Sequence, residues 1–344
     1  MILFSPSFLF DVASDEIAEQ LGFYIRNPAI HRCHYLDHRA LALSADANGG
    51  AAYVMWGRRE NWKVATYLAS AGNVFWLRTD ELDRFAGQVL GNLRRRIVLV
   101  TTEADYAPTL YAPDATKAIM ASDMVAHWYC AQSDIPRDVA KHTPVPLGLP
   151  YPYRNDISFA RRWRDLALHR TTRYQPEEFD RQLAVVVGSR KPAAERKLMA
   201  LADFAINNTS QFAPWGETRA QIARKLAGNG TLCFLEGRLN QLSLYRAYGE
   251  HAFVVSPFGR GRDCYRTWEA LLMGAVPIVK SSPLDQVFDG FPVAIVQDWS
   301  EVTQENLARW HSRFAHAWDD GEVERRLTLS YWTNQIRTRA AGLV

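Results

Sequence analysis

The sequence contains little cysteine and no marked excess of charge of either sign. Its four cysteines, at positions 33, 130, 233 and 264, form no CxxC pair, so we expect reduced thiols and no disulfide framework. The 40 basic and 37 acidic residues leave a formal charge of +3, which is too small for a general nucleic-acid or membrane-surface footprint. Any basic binding site must therefore be local, and no nucleic-acid partner is expected.

A long apolar run is also missing from the first part of the sequence. The first residues are apolar, but they carry no basic segment, and Asp11, Asp15 and Glu16 interrupt them before a membrane-spanning length is reached. We therefore predict neither a signal peptide nor a transmembrane helix. The corresponding expectation is a cytoplasmic location, which is compatible with peripheral association with a membrane.

Short apolar runs are frequent, and helical patterns, such as ERKLMALADFAI (195–206), separate them. A chain of 344 residues with 48% hydrophobic residues is expected to form two domains. Several runs are almost continuously hydrophobic, as parallel strands covered by helices on both faces are, so the alternation predicts an α/β fold. The predicted strands are AAYVMW (51–56), NVFWL (73–77), RIVLVTT (96–102), AHWYCA (126–131), LAVVVGS (183–189), LCFLE (232–236), HAFVVSP (251–257), AVPIVK (275–280) and PVAIV (292–296).

A proline-rich segment marks a boundary between the two domains. TPVPLGLPYPYRND (143–156) carries four prolines, and a new series of strands begins after an arginine-rich stretch. We predict a first domain over 1–165 and a second over 166–325. The remainder, 326–344, has a helical pattern and is expected to pack back on the first domain.

The stretch SPFGRGRDCYRTWEALLMG (256–274) combines a glycine loop with a helix. Gly259 and Gly261 follow a predicted strand and allow backbone N–H groups to approach a ligand closely. Asp263 is the predicted N-cap of a helix from Cys264 to Met273, and Gly274 is its predicted C′ residue. A loop at the carboxyl end of a parallel strand and the amino end of the next helix is a common site for a phosphate group.

Charged side chains surround this loop. Arg260, Arg262 and Arg266 could neutralise a diphosphate through charge-assisted hydrogen bonds. Glu269 lies three residues after Arg266 on the predicted helix, where it could accept from ribose hydroxyls. A solvated ion pair is the alternative interpretation of that spacing. The sequence GRGRDC is neither GxGxxG nor a P-loop, which disfavours dinucleotide binding and simple NTP hydrolysis.

The same stretch carries a family resemblance. The order SPFGRGRD, Arg266, WEAL, a small-residue turn and PIV resembles the carboxy-terminal signature of exostosin-like (family 47-type) glycosyltransferases. VLVTTEADYAP (98–108) and HWYCAQSDIPRDVAKHTPVPLGL (127–149) resemble elements of the amino-terminal lobe of bacterial members. The likeness spans roughly 95–150 and 182–310, and 256–300 is its most specific part.

The resemblance implies a GT-B architecture, in which two Rossmann-like domains with parallel sheets face a cleft. It implies a hexosyl- or pentosyltransferase that moves a sugar from a nucleotide-sugar, with a UDP-sugar expected, to a glycan or glycoconjugate acceptor in polysaccharide biosynthesis. Arg260, Arg262 and Ala275 depart from the family pattern and leave the nucleotide open. The residues implied to hold the donor are Arg190, Ser256, Gly259, Arg260, Gly261, Arg262, Asp263, Arg266, Glu269, Ser281 and Ser282.

Inverting glycosyl transfer needs a base for the acceptor hydroxyl and positive charge for the departing diphosphate. The sequence contains no Asp-x-Asp motif, so arginines and a helix amino end are expected to replace a metal, and no cofactor is predicted. Asp105 follows the predicted strand IVLVTT and is the favoured base, and Glu103 is the close second. Asp134 and His127 are further candidates.

Alternatives to glycosyl transfer follow from the same features. A sugar-nucleotide epimerase or hydrolase on the GT-B scaffold, or a non-catalytic nucleotide-sugar or glycan-binding protein, would use the same loop. The segment HRCHYLDH (31–38) places three histidines and a cysteine together, but it lacks a second cysteine pair or an HExxH motif, so an acceptor-side surface or a packed helix is favoured over a metal site.

Overall fold

Two parallel β-sheets form the framework of the protein. The computed structural model describes residues 31–48, 64–151, 176–204, 216–235, 237 and 239–343. The first sheet has four strands in the order β1-β2-β3-β4, and all of its pairings are parallel. Its strands are Val74–Arg78 (β1), Ile97–Thr102 (β2), Val125–Cys130 (β3) and His142–Pro144 (β4). The helices of this part are His38–Leu43 (α1), Val64–Ala69 (α2), Leu82–Gln88 (α3), Pro108–Tyr111 (α4) and Pro113–Ala121 (α5).

Strand β2 shows why this sheet forms where the apolar runs predict it. All six of its residues, IVLVTT, are buried, as expected for a central strand with helices on both faces. Its two threonines are buried because each hydroxyl accepts an indole N–H. The Nε1 of Trp128 lies 2.9 Å from Oγ1 of Thr101, and the Nε1 of Trp76 lies 2.9 Å from Oγ1 of Thr102. The polar groups at this end of the strand are thus satisfied.

The second sheet has five parallel strands in the order β6-β5-β7-β8-β9. The chain leaves β5 toward β6 and then returns to the other side of β5 with β7, so the strand order reverses between β5 and β7. Its strands are Lys197–Ala202 (β5), Leu232–Phe234 (β6), His251–Val255 (β7), Val276–Lys280 (β8) and Ala294–Val296 (β9). The helices are Pro176–Gly188 (α6), Arg219–Leu226 (α7), Gln241–Glu250 (α8), Tyr265–Leu272 (α9), Gln304–Phe314 (α10), Glu322–Arg326 (α11) and Leu329–Ala341 (α12).

The carboxyl ends of the two sheets face each other. Side chains and backbone groups that follow β3 and β4 bond to the loop that follows β7: Gln132 pairs with the backbone of Asp263, and the N–H of Leu147 donates to the Asp263 carboxylate. Farther along the same boundary, Nε2 of Gln286 donates to the carbonyl of Ile135 at 2.6 Å. The predicted α/β class, with two parallel sheets facing each other, is confirmed.

The chain returns to the first sheet at its end. The N–H of Leu329, at the start of α12, donates to the carbonyl of His34 at 2.9 Å, and Arg337 on the same helix forms an ion pair with Asp46 at 2.6 Å. Helix α12 therefore packs beside α1, β1 and β2. The boundary predicted at residue 165 lies outside the described residues. Within the described ranges, no helix combines the length and apolar character needed to cross a membrane.

Two segments have the opposite secondary structure to the one predicted. LAVVVGS (183–189), predicted as a strand, lies in helix α6, because Phe179, Leu183 and Val186 recur at helical spacing and form its buried face. ERKLMALADFAI (195–206), predicted as a helix, contains strand β5, whose last three residues are buried in the centre of the second sheet. Strand β4 carries no apolar run and was not predicted. The predicted strand AAYVMW (51–56) lies outside the described residues.

Of the two caps predicted for helix α9, the C-terminal one is observed and the N-terminal one is not. Gly274 has φ of 75°, and its N–H donates to the carbonyl of Leu271 at 3.0 Å, so the predicted C′ glycine is confirmed. The N-cap prediction is wrong: Cys264 occupies that position, and no side chain caps the helix there. The Asp263 carboxylate binds the N–H of Leu147 and the indole of Trp268 instead.

Candidate active site

The reversal of strand order between β5 and β7 defines the place where a ligand is expected. In open α/β sheets, ligands bind beyond the carboxyl ends of the strands at such a switch point. Asp203 directly follows β5, and the glycine loop, residues 256–263, directly follows β7. The structure therefore brings the loop that the sequence singled out to the position that topology favours.

A buried ion pair lies at this switch point. Nε of Arg266 is 2.5 Å from Oδ1 of Asp203, and both side chains are less than 15% exposed, at 13% and 8%. The Tyr248 hydroxyl donates to the other carboxylate oxygen at 2.8 Å. Burial acts to lower the pKa of Arg266, but the Asp203 charge holds that pKa above its ordinary value. Arg266 is therefore a fixed cation whose terminal guanidinium nitrogens are not used by this bond.

Arg219, which sequence reasoning missed, is a second cation beside the glycine loop. It is 8% exposed and lies in the first turn of α7, which a capping box between Thr218 and Gln221 fixes. Its Nε donates to the carbonyl of Phe258 at 3.0 Å. Within the described ranges, no carboxylate forms an ion pair with it. Burial lowers the pKa of Arg219, and the charge of Arg266 lowers it further, while the Cys264 side chain acts to raise it.

Arg219 and Arg266 thus bring two positive charges to a buried place where, among the described residues, one ion pair is formed, between Arg266 and Asp203. Asp203 acts on both guanidinium groups but forms an ion pair with Arg266 alone. Buried charges are normally paired, because each unpaired one retains a large desolvation cost. The excess of positive charge beside the glycine loop is what an anionic ligand would neutralise. The capping-box pattern TRAQ was the sequence signal that could have located Arg219.

Both glycines of the loop stand where a side chain has no room. A Cβ on Gly261 would lie 2.4 Å from Nε2 of Gln132 and 2.7 Å from the carbonyl oxygen of Asp105. A Cβ on Gly259 would lie 3.1 Å from a terminal nitrogen of Arg219 and 3.2 Å from Sγ of Cys264. Gly261 therefore allows the two sheets to meet, and Gly259 allows the Arg219 guanidinium to approach the loop.

Glu269 lies on the buried side of α9, behind the loop. Its Oε1 accepts from the Tyr245 hydroxyl at 2.8 Å, and Tyr245 in turn accepts from Nε2 of Gln241 at 2.8 Å. Burial raises the pKa of Glu269 to about 7, against the opposing effects of Tyr245 and the Arg266 charge. In the described part of the chain, no protein group donates to its Oε2, so one carboxylate oxygen can accept from a ligand hydroxyl.

The remaining predicted donor residues occupy several environments. The Ser256 hydroxyl is buried and lies 2.9 Å from the Thr267 hydroxyl. Ser281 donates to Asp285 at 2.6 Å, and the N–H of Ser282 donates to the same carboxylate at 2.8 Å. These three serines shape the ends of β7 and β8 and have protein partners of their own.

The two arginines of the loop itself face the first sheet. Arg260 is exposed, and its guanidinium lies 3.9 Å from Oδ2 of Asp105. Burial lowers the pKa of Arg262, while the charge of Asp134 acts to raise it. Both cations therefore lie where the carboxylates that follow β2 and β3 meet the loop.

Arg190 lies elsewhere. The strand on which its predicted position depended is helix α6, and its NH1 donates to the carbonyl of Leu272, at the last residue of α9, at 3.0 Å. Helix α9 has eight residues and begins at the glycine loop, so its two ends are about 12 Å apart. The phosphate contact of Arg190 stays a prediction, and the structure places this side chain at the opposite end of that helix.

Glu103 and Asp105 follow β2, and Asp105 faces the glycine loop from the first sheet. Glu103 has φ of 62°, an uncommon left-handed conformation for a residue with a side chain. Burial raises the pKa of Glu103 to about 7; the Asp37 charge adds to this effect, and the Arg39 and Arg78 charges oppose it. Asp105 is more exposed, at 45% of its side chain. Burial also raises the pKa of Asp105, and the Arg260 charge opposes that rise.

The further candidates have other contacts. Asp134 accepts a short hydrogen bond from the Thr109 hydroxyl, and its Oδ1 is buried without a partner among the described residues. His127 lies inside β3, before its carboxyl end, and its Nε2 is 2.8 Å from the Thr143 hydroxyl. Burial lowers the pKa of His127 to about 4, so its imidazole is neutral near pH 7.

The histidine-rich segment HRCHYLDH is partly buried: Cys33 and His38 are buried, His31 and His34 are exposed, and only His38 belongs to an α-helix, α1. Nε2 of His38 lies 3.1 Å from the carbonyl of Pro146, and the Cys33 thiol lies 3.2 Å from the carbonyl of Tyr35. In the part of the chain that the structure describes, no three His, Cys, Asp or Glu side chains form a group that could hold a metal ion.

Comparison with known proteins finds distant similarity to solved structures. No family model and no curated protein matches the chain. Among solved structures, a trehalose 6-phosphate synthase from Burkholderia multivorans is 12% identical with a TM-score of 0.38, over 83% of this chain and 78% of that one. An α-glucosyltransferase in complex with UDP and DNA is 10% identical with a TM-score of 0.34, over 80% and 83% of the two chains. The glycosyltransferase of kitacinnamycin is 11% identical with a TM-score of 0.34, over 80% and 78%. Likeness this distant does not assign an activity to the present chain.

Replacing Arg266 should destabilise the fold. Arg266→Ala leaves the Asp203 carboxylate buried without its cation, so the free energy of unfolding is expected to fall by about 3–5 kcal/mol. In an Asp203→Asn background, the same change is expected to have a clearly smaller effect, because no buried charge is then left unpaired. Urea denaturation of the four proteins gives the coupling energy, and equal effects in both backgrounds would contradict the ion pair.

Proposed function

We propose that the protein is a glycosyltransferase of the GT-B type, which moves a sugar from a nucleotide-sugar donor to a saccharide or glycoconjugate acceptor. The observation that carries this proposal is the excess of buried positive charge, from Arg219 and Arg266, beside the glycine loop at the switch point of the second sheet. The Asp105 carboxylate of the first sheet faces the same loop. The resemblance of residues 256–300 to exostosin-like glycosyltransferases supports the same function.

The donor would lie along the second sheet. The backbone N–H groups of the loop and the two guanidinium groups would hold its diphosphate, with charge-assisted hydrogen bonds. Glu269, behind the loop, would accept from a ribose hydroxyl through Oε2. A UDP-sugar is the donor that we propose, with its sugar directed toward the carboxylates that follow β2.

Transfer would displace the diphosphate directly. The acceptor hydroxyl oxygen attacks the anomeric carbon from the face opposite to the leaving group, and its proton passes to a protein carboxylate. The bond between the anomeric carbon and the phosphate oxygen breaks, and the diphosphate departs with the electron pair. Such a displacement inverts the anomeric configuration. Arg219 and Arg266 would stabilise the negative charge that develops on the diphosphate.

Glu103 is better suited than Asp105 to accept that proton. A general base works best when its pKa lies near the working pH, and burial raises the pKa of Glu103 to about 7. Its left-handed backbone indicates strain of the kind that concentrates at functional sites. Asp105 is more exposed and lies near Arg260, so it is better placed to bind the acceptor or to orient the loop.

Arg219 can be tested by direct binding. Arg219→Ala should weaken the binding of UDP by about 1.5–3 kcal/mol, the range for a hydrogen bond to a charged group. Isothermal titration calorimetry on the folded variant measures this loss. Arg190→Ala is the matched comparison, because it removes the same type of side chain from the far end of α9. A larger loss of affinity with Arg190→Ala than with Arg219→Ala would overturn this placement of the diphosphate.

Glu103 can be tested by kinetics and pH. As a base with a pKa near 7, Glu103 must be ionised to act, so kcat at saturating donor should fall as the pH drops below about 7. Glu103→Gln should lower kcat by roughly 100-fold or more and abolish this acidic limb. Glu269→Gln should retain the limb at saturating donor and raise the donor KM. Release of UDP from a panel of UDP-sugars, with and without saccharide acceptors, is the assay.

The comparison of Glu103 with Asp105 uses the same assay. If Asp105→Asn removed the acidic limb while Glu103→Gln kept it, Asp105 would be the base. Release of UDP that is independent of any acceptor would favour a hydrolase.

We further propose that transfer needs no metal ion. The sequence has no Asp-x-Asp motif, and the two arginines would supply the charge that a metal provides in other glycosyltransferases. Activity should therefore persist in excess EDTA. An activity that EDTA removes and Mg²⁺ or Mn²⁺ restores would contradict this mechanism, provided that the thermal unfolding of the protein is the same with and without EDTA.

A further inference from the structure

One side chain of the first sheet makes two hydrogen bonds to the glycine loop of the second. Gln132 follows β3, and its Nε2 donates to the carbonyl oxygen of Asp263 at 3.0 Å. Its Oε1 accepts from the N–H of the same residue at 2.9 Å. The side-chain amide thus satisfies both backbone groups of Asp263, as a neighbouring β-strand would. Both residues are buried, so water does not compete for these bonds.

The backbone of Gln132 is held in an unfavourable conformation. Its φ is 53°, and within the described ranges only Gln132 and Glu103 combine a side chain with a positive φ. A residue with a Cβ adopts this region at a cost in free energy, and it remains there only where surrounding contacts impose it. The two hydrogen bonds to Asp263 are contacts of that kind.

The loop around these bonds is closely packed against both sheets. The position of a Cβ on Gly261 lies 2.4 Å from Nε2 of Gln132, so the amide covers the loop directly. The Asp263 carboxylate accepts from the N–H of Leu147 and from the indole N–H of Trp268, each at 2.7 Å. Asp263 is therefore fixed from three sides, and Gln132 is the only one of these partners that binds its backbone.

We propose that Gln132 is a positioning residue that holds the glycine loop in its anion-binding shape before any ligand arrives. The N–H groups of a free loop would have to be ordered on binding, and that ordering would weaken affinity. With the Asp263 backbone clamped, the loop from Gly259 to Asp263 meets Arg219 in a fixed geometry. The proposal relies on the proposed function only for the identity of the ligand, UDP.

The chain offers a matched control for this clamp. Gln286 also donates an amide N–H across the boundary between the sheets, to the carbonyl of Ile135, and within the described ranges its side chain makes no hydrogen bond to the glycine loop. Gln132→Met and Gln286→Met each keep a side chain of similar length while they remove its hydrogen bonds. If Gln132 only contributed to the contact between the sheets, both variants would change loop exchange and UDP binding alike. If Gln132 positions the loop, only Gln132→Met changes them.

The first measurement is backbone hydrogen exchange without nucleotide. Gln132→Met should speed exchange of the amides between Gly259 and Asp263 by about tenfold, the effect expected for a lost hydrogen bond. Gln286→Met should leave these amides within about twofold of the parent protein. Unchanged exchange in a folded Gln132→Met protein, or equal acceleration in both variants, would overturn the proposal.

The second measurement is UDP binding by calorimetry. Gln132→Met should weaken it by about tenfold while Gln286→Met leaves it unchanged. Gln132→Glu separates positioning from mere folding, because a protonated carboxylic acid can both donate to the Asp263 carbonyl and accept from its N–H. Protection of the loop should therefore return on acidification in Gln132→Glu but not in Gln132→Met, and its failure to return would count against the clamp. If the parent protein did not bind UDP, the proposed donor would be wrong, and the exchange experiment would still test the clamp.

Discussion

The arrangement of the two sheets depends on the hydrogen bonds that the buried Asp263 carboxylate accepts. This carboxylate accepts one hydrogen bond from the backbone after β4 and one from Trp268 in α9, and Asp263 is 3% exposed. Burial raises its pKa to about 7, while these two donors and the backbone of Cys264 act to lower it. A buried carboxylate needs such donors, since water is excluded. These requirements tie the start of α9 and the glycine loop to the first sheet.

The position of the loop has an electrostatic consequence. Two guanidinium groups lie beside it, and the single ion pair between Asp203 and Arg266 leaves Arg219 without a carboxylate partner among the described residues. The buried Glu269 carboxylate also acts on Arg266, but burial raises its pKa to about 7, and it forms no ion pair with either guanidinium group among the described residues. Asp105 of the first sheet lies near the exposed Arg260. Arg219 and Arg266 together therefore keep an excess of positive charge, which an anionic diphosphate would offset.

The carboxylates Glu103 and Glu269 have similar pKa values but different hydrogen-bond partners. The pKa of Glu103 and that of Glu269 are both raised to about 7, with burial as the main cause. The two groups nevertheless differ in their partners: Tyr245 donates to Glu269, whereas within the described ranges no protein group donates to Glu103. A carboxylate held by a hydroxyl is suited to fixed recognition, and one without a donor is free to exchange a proton.

The sequence by itself determined most of the second sheet and the loop that it carries. The apolar runs at 251–257 and 275–280 are strands β7 and β8, and the helix between them begins after the glycines and ends before Gly274. These features are local, since strand propensity, glycine conformation and helix stop signals act within a few residues. The same local rules misassigned α6 and β5, because short apolar runs fit both periodicities and the burial of β5 is decided by its neighbours in the sheet.

Only the tertiary structure decided which distant residues meet the loop. Arg219, Asp203 and Gln132 come from three separate elements, and their approach depends on strand order and on how the two sheets face each other. Arg190 shows the converse, because a basic residue assigned by analogy lies at the opposite end of α9 once α6 replaces the predicted strand. A sequence pattern records which side chains are available within one segment. The order of the strands and the packing of the two sheets determine which of these side chains meet.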